Sequence, residues 1–192
     1  MLRFVVAATF ACLCVSAFAE PVHIVAYGAS NTFGKGVSRG DAYPAQLERM
    51  LKDAGHDVEV TNAGTNGVTT EDELADLDED VPQNTQIVIF QPGTNDRLWT
   101  RKHGPVTGSA QNVDAVVQKL LDRHVLVLFL GSPPEQQRMK QLGVSAMDGV
   151  TQLSPDNVQP DGQHLTPEGY RQAAAKMVPY VEELIGKLSA DK

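Results

Sequence analysis

Val22-His23-Ile24-Val25-Ala26-Tyr27-Gly28-Ala29-Ser30-Asn31 is the stretch that decides the fold. An apolar run rich in β-branched and aromatic residues ends at a glycine, which is a strand signal. Small and polar residues then follow, as a tight turn requires. Further on, Leu47, Met50, Leu51 and Ala54 recur at i, i+3, i+4 and i+7, the stripe of an amphipathic helix stopped by Gly55. A strand, a turn and a helix in this order open a βαβ unit.

The same alternation runs to the end of the chain. Strands are expected over Asp57–Ala63 (Val58 and Val60), Gln86–Phe90 before Pro92-Gly93, Val125–Leu130 before Gly131, and Val144–Met147. An acidic stretch from Thr70 to Asp80 predicts a solvated helix with Thr70 as its cap. Val113, Val116, Val117, Leu120 and Leu121 mark another helix, and residues 135–142 a short one. Thr166-Pro167-Glu168 combines a capping hydroxyl, a first-turn proline and an acid, a strong helix start. The last helix carries Tyr170, Ala174, Met177, Val181, Leu184, Ile185 and Leu188 on one stripe, with Pro179 expected to kink it. Strands alternating with helices imply an α/β protein: a three-layer α/β/α sandwich with a mostly parallel sheet of about five strands.

Composition bounds the partners. The 192 residues are 42% hydrophobic and 21% charged, ordinary for a packed domain and outside the disordered class. A net charge of −8 without a basic run excludes a nucleic-acid or anionic-membrane binder. Arg3 precedes an apolar run from Phe4 to Phe18, closed by Ala17-Phe18-Ala19. This pattern predicts a signal peptide over 1–19, cut after Ala19, and a single domain over 20–192. As a helix the run rises roughly 22 Å, short of a bilayer core of about 30 Å, so no membrane anchor is expected to remain. Cys12 and Cys14 lie in the leader, which leaves a cysteine-free chain suited to an oxidising compartment, either periplasm or medium. No oligomer signal stands out, and a monomer is expected.

In an open parallel sheet, ligands bind beyond the carboxyl ends of the strands. Here those ends run into Gly28-Ala29-Ser30-Asn31, Asn62-Ala63-Gly64-Thr65-Asn66-Gly67 and Gly93-Thr94-Asn95-Asp96. A fourth group, Asp161-Gly162-Gln163-His164, precedes the last helix. Acyl transfer needs a nucleophile, a base, a group to orient the base, and donors for the oxyanion. Ser30, His164 and Asp161 fill the first three roles. The Ser30 and Gly67 N–H groups and the Asn95 amide are candidates for the oxyanion hole.

These four blocks resemble the SGNH (GDSL-type) hydrolase family, and they span most of the chain after the leader. Tyr43-Pro44 with Leu47, and the block from Asn62 to Thr70, are most similar to its thioesterase, lysophospholipase and arylesterase branch. The resemblance implies an SGNH/flavodoxin-like fold and a cofactor-free serine esterase. Its four named residues would be Ser30, Gly67, Asn95 and His164, with Asp161 as the orienting acid. The expected substrate is a small-molecule or lipid-type ester or thioester, with an acetylated carbohydrate as the alternative. Two positions depart from the pattern. Ala29 stands where the family usually has Asp, and Val68 where it often has an acid or polar residue. The stretch from Asp96 to Asp161 is also short, which predicts an open or shallow acyl pocket. Leu98, Trp99 and Val68 are candidate apolar lining.

Rival readings are weaker. Ser30 alone would be a helix cap, Asn95-Asp96 a turn or cap, and His164 a surface histidine. His23, His56, His103 and His124 are scattered singly, and no cluster has metal-ligand spacing, so no metal is expected. The acids from Glu71 to Asp80 lack the glycine and spacing of a calcium loop. Ala29 to Gly36 approaches a phosphate-cradling loop, but Ala29 replaces its first glycine and Gly36 its magnesium-binding hydroxyl. The remaining rival of another class is a non-catalytic binding module with a degenerate site, for which Ala29 is the support.

Overall fold

A computed structural model of the chain describes residues 20–97, 108–149 and 155–190. Its centre is a five-stranded sheet of β1 (Val22–Gly28), β2 (Val58–Gly64), β3 (Ile87–Gln91), β4 (Leu126–Gly131) and β5 (Ser145–Asp148). The order is β2-β1-β3-β4-β5 and every pairing is parallel, so the α/β/α sandwich read from the sequence is the observed architecture. The helices are α1 (Ser30–Phe33), α2 (Tyr43–Asp53), α3 (Thr70–Ala75), α4 (Leu77–Asp80), α5 (Ser109–Asp122), α6 (Pro133–Gln141) and α7 (Pro167–Ala190).

Strand side chains alternate faces, so one sheet feeds two cores. Ile24, Ala26, Ile87, Ile89, Leu128 and Leu130 pack with Leu47 and Leu51 of α2 and with Tyr170, Met177 and Val181 of α7. Their neighbours Val25, Tyr27, Val88, Phe90, Val127 and Phe129 pack on the other face with Leu77, Val113, Val117, Leu120 and Met139. On that second face Tyr27 stacks on Phe90 with centroids 5.6 Å apart, and Phe90 meets Phe129 edge-on at 6.0 Å. Each central strand is buried on both faces, which explains its near-continuous apolar sequence. Pro179 lies inside α7, which runs on without interruption.

Three expectations need correction. The acidic stretch forms two short helices rather than one, and the cap of α3 is Thr69, whose hydroxyl accepts from the Asp72 N–H while the Asp72 carboxylate accepts from the Thr69 N–H. Nor is the stretch wholly solvated, since Thr70, Glu73 and Leu77 are buried.

Register places the functional segments. Gly28 pairs with Gly64 and with Gln91, so the strand ends of β1, β2 and β3 finish level at one edge. Gly28 has φ +146°, and a Cβ there would lie 2.1 Å from the Gln91 carbonyl oxygen. Only glycine lets the chain leave β1 this close to β3 and turn into α1.

Candidate active site

Ser30 is the first residue of α1, a single helical turn on the end of β1. Its Oγ lies 2.8 Å from His164 Nε2. His164 is buried, and its Nδ1 lies 2.5 Å from Asp161 Oδ2. A carboxylate only accepts, so the imidazole proton sits on Nδ1 and the Nε2 lone pair faces the serine. Asp161 Oδ1 accepts the backbone N–H groups of Gln163 and His164, each at 3.0 Å. These bonds, led by the imidazole, hold the Asp161 carboxyl well below the usual carboxylate range.

The turn that carries His164 is fixed in place. The Gln159 N–H donates to the His164 carbonyl at 2.7 Å, and Val158 bridges Leu165. Gln159 Nε2 reaches Leu165 O at 2.6 Å and Lys35 O at 2.8 Å, joining the histidine turn to the serine turn. Asn31 Nδ2 donates to Gln163 O at 3.3 Å, and the Tyr170 hydroxyl donates to Asn31 Oδ1 at 3.3 Å. Gln159 and Tyr170 are functional supports that sequence reasoning missed. Neither carries a local signal for this, because the bonds that tie them to the serine turn, Gln159 to Lys35 O and Tyr170 to Asn31, span more than a hundred residues of chain.

Asn95 Nδ2 donates to Val68 O at 2.8 Å, which commits one amide hydrogen and leaves the other available. Beside it, Asp96 is no solvated cap. It is buried, and its carboxylate accepts the Thr70 N–H at 2.9 Å and the Thr70 hydroxyl at 2.7 Å. Burial raises its pKa, but the bonds from Ser109 and Thr70 outweigh this and hold it below the usual range. The anion also sits at the start of α3, where the helix dipole favours it. Asp96 thus ties the Asn95 turn to α3.

Ser30, Asn95 and His164 line one cleft of about 260 Å³, together with Ala29, Asn31, Gln91, Gly93 and Gln163. Gly67 lies on an exposed turn with φ +83° and does not line the cleft, although its neighbour Val68 holds Asn95. The Ser30 and Gly67 N–H groups make no hydrogen bond among the described residues. Val68 is half-buried, whereas Leu98, Trp99 and His103 lie outside the described residues. His23 and His56 pair with Glu59 and Glu182 away from the cleft. The Ala29–Gly36 stretch is no phosphate cradle: its Phe33, Gly34 and Lys35 N–H groups are spent on Ala29 O and Ser30 O. Among the described residues no group of three His, Cys, Asp or Glu side chains could hold a metal ion.

A serine that shares its proton with a carboxylate-held imidazole, beyond the carboxyl ends of a parallel sheet, defines a class: serine hydrolases acting on esters. Within that class the chain belongs to the GDSL-like lipase/acylhydrolase family, whose model matches residues 26–153. The match ends before the Asp161–His164 turn, which the geometry joins to Ser30. Solved structures agree in fold. TesA superposes with a TM-score of 0.71 at 21% identity, covering 84% of this chain and 99% of that one. The psychrotrophic esterase EstA from Pseudoalteromonas sp. gives 0.72 at 17% identity, covering 86% and 99%. The acetyl xylan esterase AlAXEase gives 0.68 at 22% identity, covering 83% and 100%. No curated protein matches the chain in sequence.

Proposed function

We propose that the protein is an exported serine esterase that cleaves carboxylic ester or thioester bonds through an acyl-enzyme, with Ser30 as nucleophile, His164 as base and Asp161 as the acid that orients it. The observation that carries this reading is the unbroken hydrogen-bond chain from Asp161 through His164 to Ser30 at the cleft. His164 takes the hydroxyl proton as Ser30 attacks the carbonyl, then delivers it to the leaving group, and water releases the acid. The oxyanion is received by the Ser30 N–H and the second Asn95 amide hydrogen, with the Gly67 N–H as the third candidate donor. Residues 1–19 are the leader that exports the chain to periplasm or medium, where it acts as a monomer.

A second reading of the substrate has its own support. The cleft is lined mainly by polar side chains, Asn31, Gln91, Thr94, Asn95 and Gln163, which favours a small acyl group on a polar carrier such as an acetylated sugar. Hydrolysis of p-nitrophenyl esters of increasing acyl length by residues 20–192, with Ser30→Ala alongside, tests both. Turnover that drops to background in the variant is the expected result. An optimum at acetate favours the deacetylase, and an optimum at longer chains the lipid-type esterase. Ester turnover that survives in Ser30→Ala would sink the proposal.

A further inference from the structure

The mechanism above does not use Glu73. This residue lies in α3 at 2% exposure, under the floor of the cleft. Its Oε1 accepts the Gly93 N–H at 3.0 Å, while Oε2 is buried without a hydrogen-bond partner among the described residues. Its carbonyl accepts the Tyr27 hydroxyl, which pins the helix to β1. Gly93 in turn is packed against the site: a Cβ there would lie 2.7 Å from Ala29 Cβ, 3.1 Å from Val68 O and 3.2 Å from Asn95 Nδ2. Ala29, where the family pattern has an acid, is itself buried against this glycine. A carboxyl therefore still reaches the nucleophile's surroundings, delivered from α3.

Among the described residues, the groups facing Glu73 give it no cation. They are Asp72 on its own helix, Asp96 after β3 and Tyr27 on β1. Burial pushes its pKa up to about 8, the Gly93 bond opposes this, and Asp96 and Asp72 add to the rise. A neutral carboxyl leaves Oε2 as a buried but uncharged atom. An ionised one would put an uncompensated charge in the core, a far larger cost.

We propose that Glu73 is a positioning residue that works uncharged: its carboxyl fixes the Gly93 amide, and with it the placement of Asn95, and its ionisation shuts ester hydrolysis down. A negative charge under this segment opposes the charge that develops on the oxyanion, and the dry surroundings screen it poorly. The inference rests on Asn95 acting as an oxyanion donor.

The test is the kcat and KM of p-nitrophenyl ester hydrolysis from about pH 6 to about pH 10, corrected with Ser30→Ala. The wild type should lose kcat above about pH 8. Glu73→Gln keeps the acceptor for Gly93 without the ionisation. It should hold kcat within about threefold at neutral pH and lack the alkaline fall. Glu73→Ala should lose about tenfold in kcat with KM little changed, since the placement of Asn95 matters in the transition state. An unchanged alkaline fall in Glu73→Gln, or an intact kcat in Glu73→Ala, overturns the proposal. Should the variants melt, the wild-type profile alone decides it, because a kcat that stays level up to about pH 10 is incompatible with the proposal. Ser30-dependent turnover without the Glu73 effect overturns this inference alone. Absence of Ser30-dependent turnover overturns it together with the proposed function.

Discussion

The turn at 161–164 and helix α3 each bring one carboxyl to the same cleft, and they hold it in opposite states. Asp161 has a side chain 43% exposed and receives three hydrogen bonds, from two backbone N–H groups and an imidazole. Glu73 is buried and receives one. Solvent and donors hold the first carboxyl ionised, whereas burial outweighs the single donor and keeps the second protonated. The functional group is the same and the role differs, because an ionised acid can steady an imidazolium while a neutral one can sit under an oxyanion. One isosteric change separates them. Asp161→Asn should cost about 10²–10⁴ in kcat, since an amide lets the imidazole take the wrong tautomer. Glu73→Gln should cost almost nothing at neutral pH. If Asp161→Asn is as mild as Glu73→Gln, the exposed acid does not orient His164 and the comparison fails.

Between the two lies Asn95, held by Val68 O on one side and steadied through Gly93 and Asp96 on the other. Asn95→Ala removes the amide that receives the oxyanion and should cost about 10²–10³ in kcat. The loss should fall on kcat more than on KM, because the bond forms with the transition state. A loss confined to KM would make Asn95 a substrate-binding residue. It would also remove the reason for Glu73 to be neutral.

The two carboxyls differ as sharply in how far the sequence reveals them. Asp161 is legible because its partner stands three residues away and one turn brings them together. Ser30 is legible for a similar reason: an apolar strand ending in glycine dictates a turn, whatever lies around it. The sheet followed from the continuous apolar runs of β1, β3 and β4, which are a purely local pattern. Glu73 sits in an acidic run that reads as a solvated helix face. Its burial depends on Gly93, twenty residues away. The cap of α3 was misplaced by one residue for a related cause. Thr69 and Thr70 both carry a hydroxyl, and only the folded position of Asp96 draws Thr70 away to a different partner. Gln159 and Tyr170 reach the serine turn across more than a hundred residues of chain, so no local pattern could single out that role.

The smallest expected effect tests the comparison through stability rather than rate. With its folded pKa raised to about 8, Glu73 keeps a proton that the unfolded chain gives up near the ordinary glutamate value. Its stabilising share is therefore complete below that ordinary value, declines as pH rises, and is gone above about pH 8. Inside this window one retained proton corresponds to at most about 1.4 kcal/mol per pH unit. Asp161 runs the other way: its folded pKa is depressed, so its share is present above the ordinary aspartate value and is lost as pH falls below it. Urea midpoints of wild type and Glu73→Gln, taken at steps between about pH 5 and pH 8, isolate the first slope, because every other group titrates alike in both proteins. The variant should gain on the wild type steadily as pH rises through the window. Parallel curves would mean that Glu73 ionises in the folded protein as it does in the unfolded one. Its burial against Gly93 would then carry no electrostatic consequence for the site.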